Sequence, residues 1–471
     1  MEFRPHGRDW LALAFGLFLG LALLKFGNPV VLDSKVSAPK NLAEFWFYAW
    51  PPSWSFWFLL PLAIVASFWV VQNKPRWPGS KSLWFLPLVW FGWQWVSASR
   101  SVDGELTRAT LLHFAGLLIC YFAGALIVQT DRSLRWLLVG LLAALTFCLV
   151  RAVDQKLIEF PSEKQFLIQS EQAGWTNLPP DVFLELKQSG TIVTTNGVDV
   201  ANPMILKKYE KGRVFGTLVY PNALAGAILI LLPVALVLAF GSTRKLRPLI
   251  RGTAIGLTLF LGLGALFWTG SKSGWLIALA LAGVWLFRLN WPTRLKGITL
   301  LLLIVFGLTA FGIRFHNYFA AGATSVGARF DYWHAAVQTA ATHPVFGTGP
   351  GTFQHPYAEI KTPEAEMARL AHNDYLEQFS DSGLIGGLAY TAWIAFLFIT
   401  LGRRLWKSAS GWTFAIFLGC FGWFIQGLSE FSLYVPTLAW TAFLLAGSLL
   451  NGASSGNSNR HSASAPLGSR A

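Results

Sequence analysis

Read from its N-terminus, the chain alternates long apolar runs with short polar breaks. Twelve runs are long enough to cross a bilayer, at about 9–25, 54–72, 82–98, 110–129, 136–153, 217–240, 252–270, 273–289, 297–315, 384–402, 411–429 and 434–450. A hydrocarbon core takes roughly 20 apolar residues as a helix, and a helix closes its backbone hydrogen bonds within the segment. The alternating segments of about ten residues that mark a membrane β-barrel do not occur. The pattern predicts an all-α, polytopic membrane protein with about twelve transmembrane helices. The run at 9–25 has no small-residue cleavage site and is followed by further spans, so it reads as a retained first helix.

The polar breaks set the organisation. Residues 1–153 hold the first five spans, 214–315 spans six to nine, and 384–450 the last three. Two breaks are long, at 154–213 and 316–383. The first is polar and poorly periodic. Pro179-Pro180-Asp181 can start a short helix, and Asn196-Gly197 between β-favouring residues reads as a hairpin over 191–200. The second reads as helical twice. Over 327–341, Arg329, Trp333 and Ala336 recur on one side. Over 367–383, His372, Tyr375, Leu376 and Phe379 share a face, with Asp374, Glu377 and Asp381 turned toward water. Gly383 can end that helix, and Leu384 starts the next span. The tail 451–471 is rich in Ser, Asn and Gly and is expected to be disordered.

Composition and charge refine this picture. Of 471 residues, 54% are hydrophobic and only 13% charged, where soluble domains carry about 25%. The net charge of +14 could point to nucleic acid, but its placement argues otherwise. About half of the basic residues fall in one alternate set of short loops: Arg4 and Arg8, Lys74 to Lys81, Arg132 and Arg135, Arg244 to Arg251, Arg288 to Lys296, and Arg403 to Lys407. By the positive-inside rule these loops are cytoplasmic, as are both termini, and the two long loops are on the outer side. The charge excess reports topology, not a nucleic-acid partner. The three cysteines, Cys120, Cys148 and Cys420, lie inside spans and read as small packing residues.

Candidate chemistry lies at the outer mouth. His372 can take a proton from a hydroxyl at neutral pH, and Asn373 can hold a substrate hydroxyl or carbonyl. The blander reading is an interfacial helix start. The fork of Arg329 suits a phosphate, although an arginine there also serves to reach the headgroups. Lys272, in the short turn TGSKSGW at 269–275, is an ionisable residue beside lipid, where Gly and Ser let an anion approach the backbone. Arg213 and Asn222 border the sixth span in RVFGTLVYPNALAG, where Asn222 can simply bond across helices. The turn GTGPG at 347–351 lacks the Gly-Lys-Ser/Thr of a P-loop. No metal motif is present, and neither a metal nor another cofactor is expected.

These residues together resemble the O-antigen ligase and polymerase superfamily of integral membrane glycosyltransferases. The ligase signature is His-Asn/Ser/Gln, nine residues, then Gly-x-x-Gly and usually Thr. Here His372-Asn373 and Gly383-Leu384-Ile385-Gly386 match it, with Gly387 in place of the threonine. His316-Asn317 is a decoy: Gly327 follows at the same spacing, but Phe330 stands where the second glycine belongs. GARFDYWHAA…HPVFGTGPGTF and TGSKSGW look like further family blocks, with Arg329 at the family's arginine and Lys272 where arginine is common. The resemblance covers roughly 210–400.

It implies transfer of a glycan from undecaprenyl diphosphate to an acceptor hydroxyl at the periplasmic face of a bacterial inner membrane. In that reading His372 and Asn373 are catalytic, Lys272 and Arg329 hold the pyrophosphate, Arg213 and Asn222 assist binding, and Gly383 and Gly386 are motif glycines. The partners are the lipid-linked glycan, an acceptor and membrane lipid, with no metal or ATP required. The acceptor ranks as lipid A core sugar first, with a growing glycan (polymerase) or a protein hydroxyl (O-oligosaccharyltransferase) as alternatives. A transporter, of the bicarbonate type, is the rival from another class. It should carry ionisable groups at mid-membrane. Within the spans His113 is the clearest such group, and it also reads as a packed core histidine.

Overall fold

The computed structural model describes residues 7–320, 324–408 and 410–451. The expected tail lies almost wholly outside them. Helices α1 (Gly7–Lys25), α2 (Leu42–Phe47), α3 (Ser55–Asn73), α4 (Lys81–Ala98), α5 (Gly104–Ile127) and α6 (Asp131–Asp154) form the first half. Helices α7 (Phe160–Gln172), α8 (Pro180–Gln188) and α9 (Pro203–Lys211) belong to the first long connection. Then come α10 (Pro221–Ser242), α11 (Pro248–Thr269), α12 (Lys272–Arg288) and α13 (Thr293–Ala320). Helices α14 (Thr324–Thr342) and α15 (Gln354–Ile360) lead to α16 (Asp374–Ser408), α17 (Gly411–Gln426) and α18 (Pro436–Ser448).

Every expected apolar run lies on one of these helices. Eight helical segments among the described residues are long and apolar enough to cross a membrane. Four expected spans fall on helices outside that set: α4, α12, α17 and α18. Burial separates packed from lipid-facing helices. Helices α5 and α18 are buried along most of their length, whereas α11 and α13 expose Leu259, Phe260, Leu301 and Phe306. Such exposure is normal where the solvent is hydrocarbon.

Where α1 crosses α6, small residues let two backbones meet. A β-carbon on Gly16 would collide with the Leu137 carbonyl, and one on Gly140 with the Gly16 carbonyl.

Two boundaries differ from expectation. The sixth helix does not stop near 153. It passes through a π-helical turn at Gln155–Glu159 into α7, one helical segment to Gln172. Hydropathy falls at 154, but backbone pairing does not need apolar side chains, so the helix runs on. The first connection is also better ordered than its poor periodicity implied. Leu167, Trp175, Ile192 and Ala201 build a small core of their own. Its hairpin is present, β1 (Ile192–Thr195) antiparallel to β2 (Val198–Ala201), with Asn196 and Gly197 at φ 53° and 77°. Positive φ at both turn residues matches the twist of the strands.

Candidate active site

Arg213 reaches its place through local backbone chemistry. Gly212 ends α9 in the left-handed conformation, and the next residue turns inward. Buried Gln155, in the π turn, accepts from the N–H groups of Phe215 (3.0 Å) and Gly216 (2.8 Å). The Val214 N–H donates to the Trp268 carbonyl at 3.2 Å. Arg213 Nε then donates to the Thr269 carbonyl at 2.7 Å, and Nη2 to Asn222 Oδ1 at 3.0 Å. The guanidinium is thereby fixed beneath the TGSK turn.

That turn is built by Gly270 at φ 62°, which ends α11, and by Ser271, whose Oγ accepts the Gly274 N–H at 3.3 Å. Lys272 is left at the first position of α12. Its Nζ lies 3.6 Å from the Tyr318 ring centroid and 5.2 Å from that of Phe315. A lysine at the positive end of a helix opposes the helix dipole and favours an anion. Burial first, then the charges of Arg213, Arg329 and Arg314, push its ammonium down to about 8, against the pull of Glu430.

Glu430 is the residue on which the others converge. Its carboxylate is 1% exposed. Oε1 accepts from Arg329 Nη2 at 2.5 Å and from Asn222 Nδ2 at 2.7 Å. Oε2 faces His372 Nδ1 at 3.7 Å, and neither of these buried atoms has a hydrogen-bond partner among the described residues. Asp374 holds the loop that carries Glu430. Its carboxylate accepts the Leu433 N–H, and its own N–H donates to the Gly427 carbonyl at 2.7 Å.

His372 does not lie on a helix, contrary to the expectation of one over 367–383. The helix starts at Asp374, and His372 stands two residues before it at φ 53°, a conformation uncommon outside glycine. Its ring stacks on Tyr332 (centroids 5.6 Å apart) and meets the edge of Phe431 (4.6 Å). Trp333 Nε1 donates to the His372 carbonyl at 3.3 Å. Asn373 serves the fold. Its Oδ1 accepts from the N–H groups of Tyr375 (3.1 Å) and Leu376 (3.0 Å), capping α16. Its Oδ1 is thus committed to the helix start.

The expected water-facing acids point the other way. Asp374, Glu377 and Asp381 are all buried. Glu377 accepts the Ala371 N–H at 2.9 Å, and Asp381 accepts from Gly351 N–H (2.6 Å) and Tyr434 OH (2.7 Å). An amphipathic helix in water turns its polar side out; here the acids turn inward, where each accepts at least one backbone N–H. They brace the loops around His372.

The motif glycines have steric reasons. The helix breaks at Ser382 and Gly383, the latter at φ 67° and ψ −171°. A β-carbon on Gly383 would collide with the Val345 carbonyl, and one on Gly386 with Ser382 Oγ. At Gly387, where threonine is usual in the resemblance, a β-carbon would strike the Phe379 ring. The nine residues between Asn373 and Gly383 are the helical stretch from cap to break.

Arg213, Asn222, Arg329 and His372 thus come together around one carboxylate, with Lys272 and Arg314 in electrostatic reach. His316 and Asn317, the decoy, are exposed on α13. His113 is fully buried, with Nε2 2.7 Å from the Leu433 carbonyl and its ring stacked on Trp440, a packed core histidine. Sequence reasoning missed Glu430 and Arg314. A signal existed for Glu430: it is the sole charged residue between 411 and 450.

From Leu266, one helical turn before Thr269, an apolar crevice of about 610 Å³ runs between α10, α11, α12 and α17, past Leu232, Leu263, Ala278 and Leu418. An α-helical, multi-pass membrane protein therefore carries a cluster of cations and one histidine around a buried carboxylate.

Residues 257–391 match the family model described as O-antigen ligase. The matched stretch holds Lys272, Arg314, Arg329, His372, Asn373, Gly383 and Gly386; Arg213, Asn222 and Glu430 come from outside it. An uncharacterized protein of Haemophilus influenzae is 31% identical over 145 residues. That match spans 26% of this chain and 36% of the relative's length.

Proposed function

We propose that this protein is a glycosyltransferase of the O-antigen ligase type. It moves a glycan from undecaprenyl diphosphate to an acceptor hydroxyl at the periplasmic face, with lipid A core sugar ranked first as acceptor. The observation that carries the reading is the convergence of Arg213, Lys272, Arg329 and His372 around Glu430. Arg213, Lys272, Arg314 and Arg329 lie in electrostatic reach of one another there, a concentration of cations that suits a diphosphate. The apolar crevice starting beside the Lys272 turn suits the polyprenyl tail of the same molecule.

The reaction needs one proton acceptor and one place for leaving charge. The acceptor oxygen attacks the anomeric carbon while its proton passes to Nε2 of His372. The bond from that carbon to the phosphate oxygen breaks, and its electron pair leaves with undecaprenyl diphosphate. Lys272 and Arg329 stabilise the charge that gathers there, preorganised in a partly dehydrated pocket. The phosphoglycosyl bond supplies the driving force. Direct displacement inverts the anomeric carbon.

The test uses purified protein in bilayers, a lipid-diphosphate glycan and the candidate acceptors, with EDTA and without ATP. Wild type transfers glycan and His372→Ala does not. Equal transfer by both proteins removes His372 as the base. No transfer to any acceptor, alongside solute uptake by vesicles, replaces the reading with a transporter.

A further inference from the structure

We propose that Glu430 is the positioning residue for His372: its Oε2 fixes the imidazole with the proton on Nδ1, so that Nε2 is the atom left to accept one from the attacking hydroxyl. The inference rests on the proposed transfer and deepens it by naming what aims the base.

Three observations carry it. The two facing atoms, Glu430 Oε2 and His372 Nδ1, are both buried and, among the described residues, both lack a hydrogen-bond partner at their separation of 3.7 Å. Unmet buried polar atoms are costly, and a proton on Nδ1 with a small closure satisfies both at once. The surroundings also hold the carboxylate still: Arg329 and Asn222 both donate to Oε1, which leaves Oε2 turned toward the ring. Lastly, the ring is constrained from other sides, by Tyr332 and by Phe431, which neighbours Glu430 in the chain. Those contacts set its plane, and the carboxylate decides which nitrogen carries hydrogen.

The arrangement also connects the two substrates. Glu430 engages Nη2 of Arg329, and a guanidinium presents five N–H donors in all. The same side chain that meets the diphosphate therefore anchors the carboxylate that aims the base. As the proton arrives on Nε2, the ring becomes a cation, and Glu430 lies beside it to balance that charge.

The experiment compares wild type, Glu430→Gln and Glu430→Asp as full-length protein in lipid discs. With ¹⁵N-histidine labelling, a His372→Gln difference spectrum isolates the ring of interest. Wild type shows the Nδ1–H tautomer, and Glu430→Gln shifts it to Nε2–H, because the amide nitrogen can donate to Nδ1. Turnover of Glu430→Gln falls about 100-fold or more, donor KM changes less than about threefold, and Glu430→Asp recovers part of the loss. An unchanged tautomer with near wild-type turnover overturns the proposal. So does a large rise in donor KM at unchanged turnover, which would make Glu430 part of diphosphate binding only. If wild type transfers nothing, the glycosyltransferase reading falls, and the tautomer spectra still decide whether Glu430 orients His372. Glu430→Asp keeps the charge, so it decides the matter should the glutamine variant not fold.

Discussion

Raising the pH from 7 to 9 should strip the charge from Lys272 while leaving the arginines of the pocket charged. With its ammonium pushed down to about 8, Lys272 is roughly nine-tenths charged at pH 7 and about one-tenth at pH 9. The sign follows from the cause: burial and neighbouring cations penalise the charged form, so the free enzyme favours neutral lysine as pH rises. If the diphosphate requires the ammonium, donor affinity falls about tenfold over that interval. A hydrogen bond to a charged group contributes about 1.5–3 kcal/mol, or roughly 10- to 150-fold, so the contact is strong enough to register the whole titration. The assay is donor KM and kcat/KM from pH 6.5 to 9.5 at saturating acceptor. Because kcat/KM reports the free enzyme, the alkaline fall should appear there and be weaker in kcat. Lys272→Arg should abolish the fall, since guanidinium keeps its charge over this range. A wild-type profile flat to pH 9.5, or the same fall in Lys272→Arg, would refute the assignment of Lys272 to the diphosphate.

Three further outcomes are expected. Gly383→Ala forces an alanine into φ 67° and ψ −171° and against the Val345 carbonyl, which should cost about 2–3 kcal/mol; thermal unfolding in detergent measures it, and transfer should fall as the start of α16 shifts. Arg329→Lys keeps charge but loses the fork that serves both Glu430 and a phosphate, so donor kcat/KM should drop about 10- to 100-fold with fold stability nearly unchanged. Ala278→Phe fills part of the apolar crevice and should raise KM for a long-chain polyprenyl donor several-fold while sparing a donor with a short tail; equal effects on both donors would place the tail elsewhere.

What could be read from the sequence depended on which physical signal each residue leaves. Apolar runs are legible because lipid demands unbroken hydrophobic length, so each run found its helix. Lys272, Arg329, Arg213, Asn222 and His372 are legible one at a time, as polar residues at the borders of such runs. Their convergence is not, since it depends on how α10, α14, α16 and the loop after α17 meet. Glu430 shows the difference. It lies 101 residues from Arg329 in sequence, in a short turn with no spacing relation to any partner, and its role exists only in three dimensions. The inverted face of α16 failed for another reason. Period 3.6 identifies two faces but cannot say which is inside; that follows from the solvent, and the usual rule assumes water. Asp374, Glu377 and Asp381 therefore looked like a solvated stripe, when burial makes them the struts that hold the Glu430 loop, the His372 turn and the GTGPG loop in register. The same reasoning explains the signature's form. A histidine aimed at a carboxylate needs a fixed backbone on both sides. The Asn373 cap supplies one, and the Gly383 break, wedged against Val345, supplies the other. The interval between them is a single rigid piece of helix, its length set by that cap and that break.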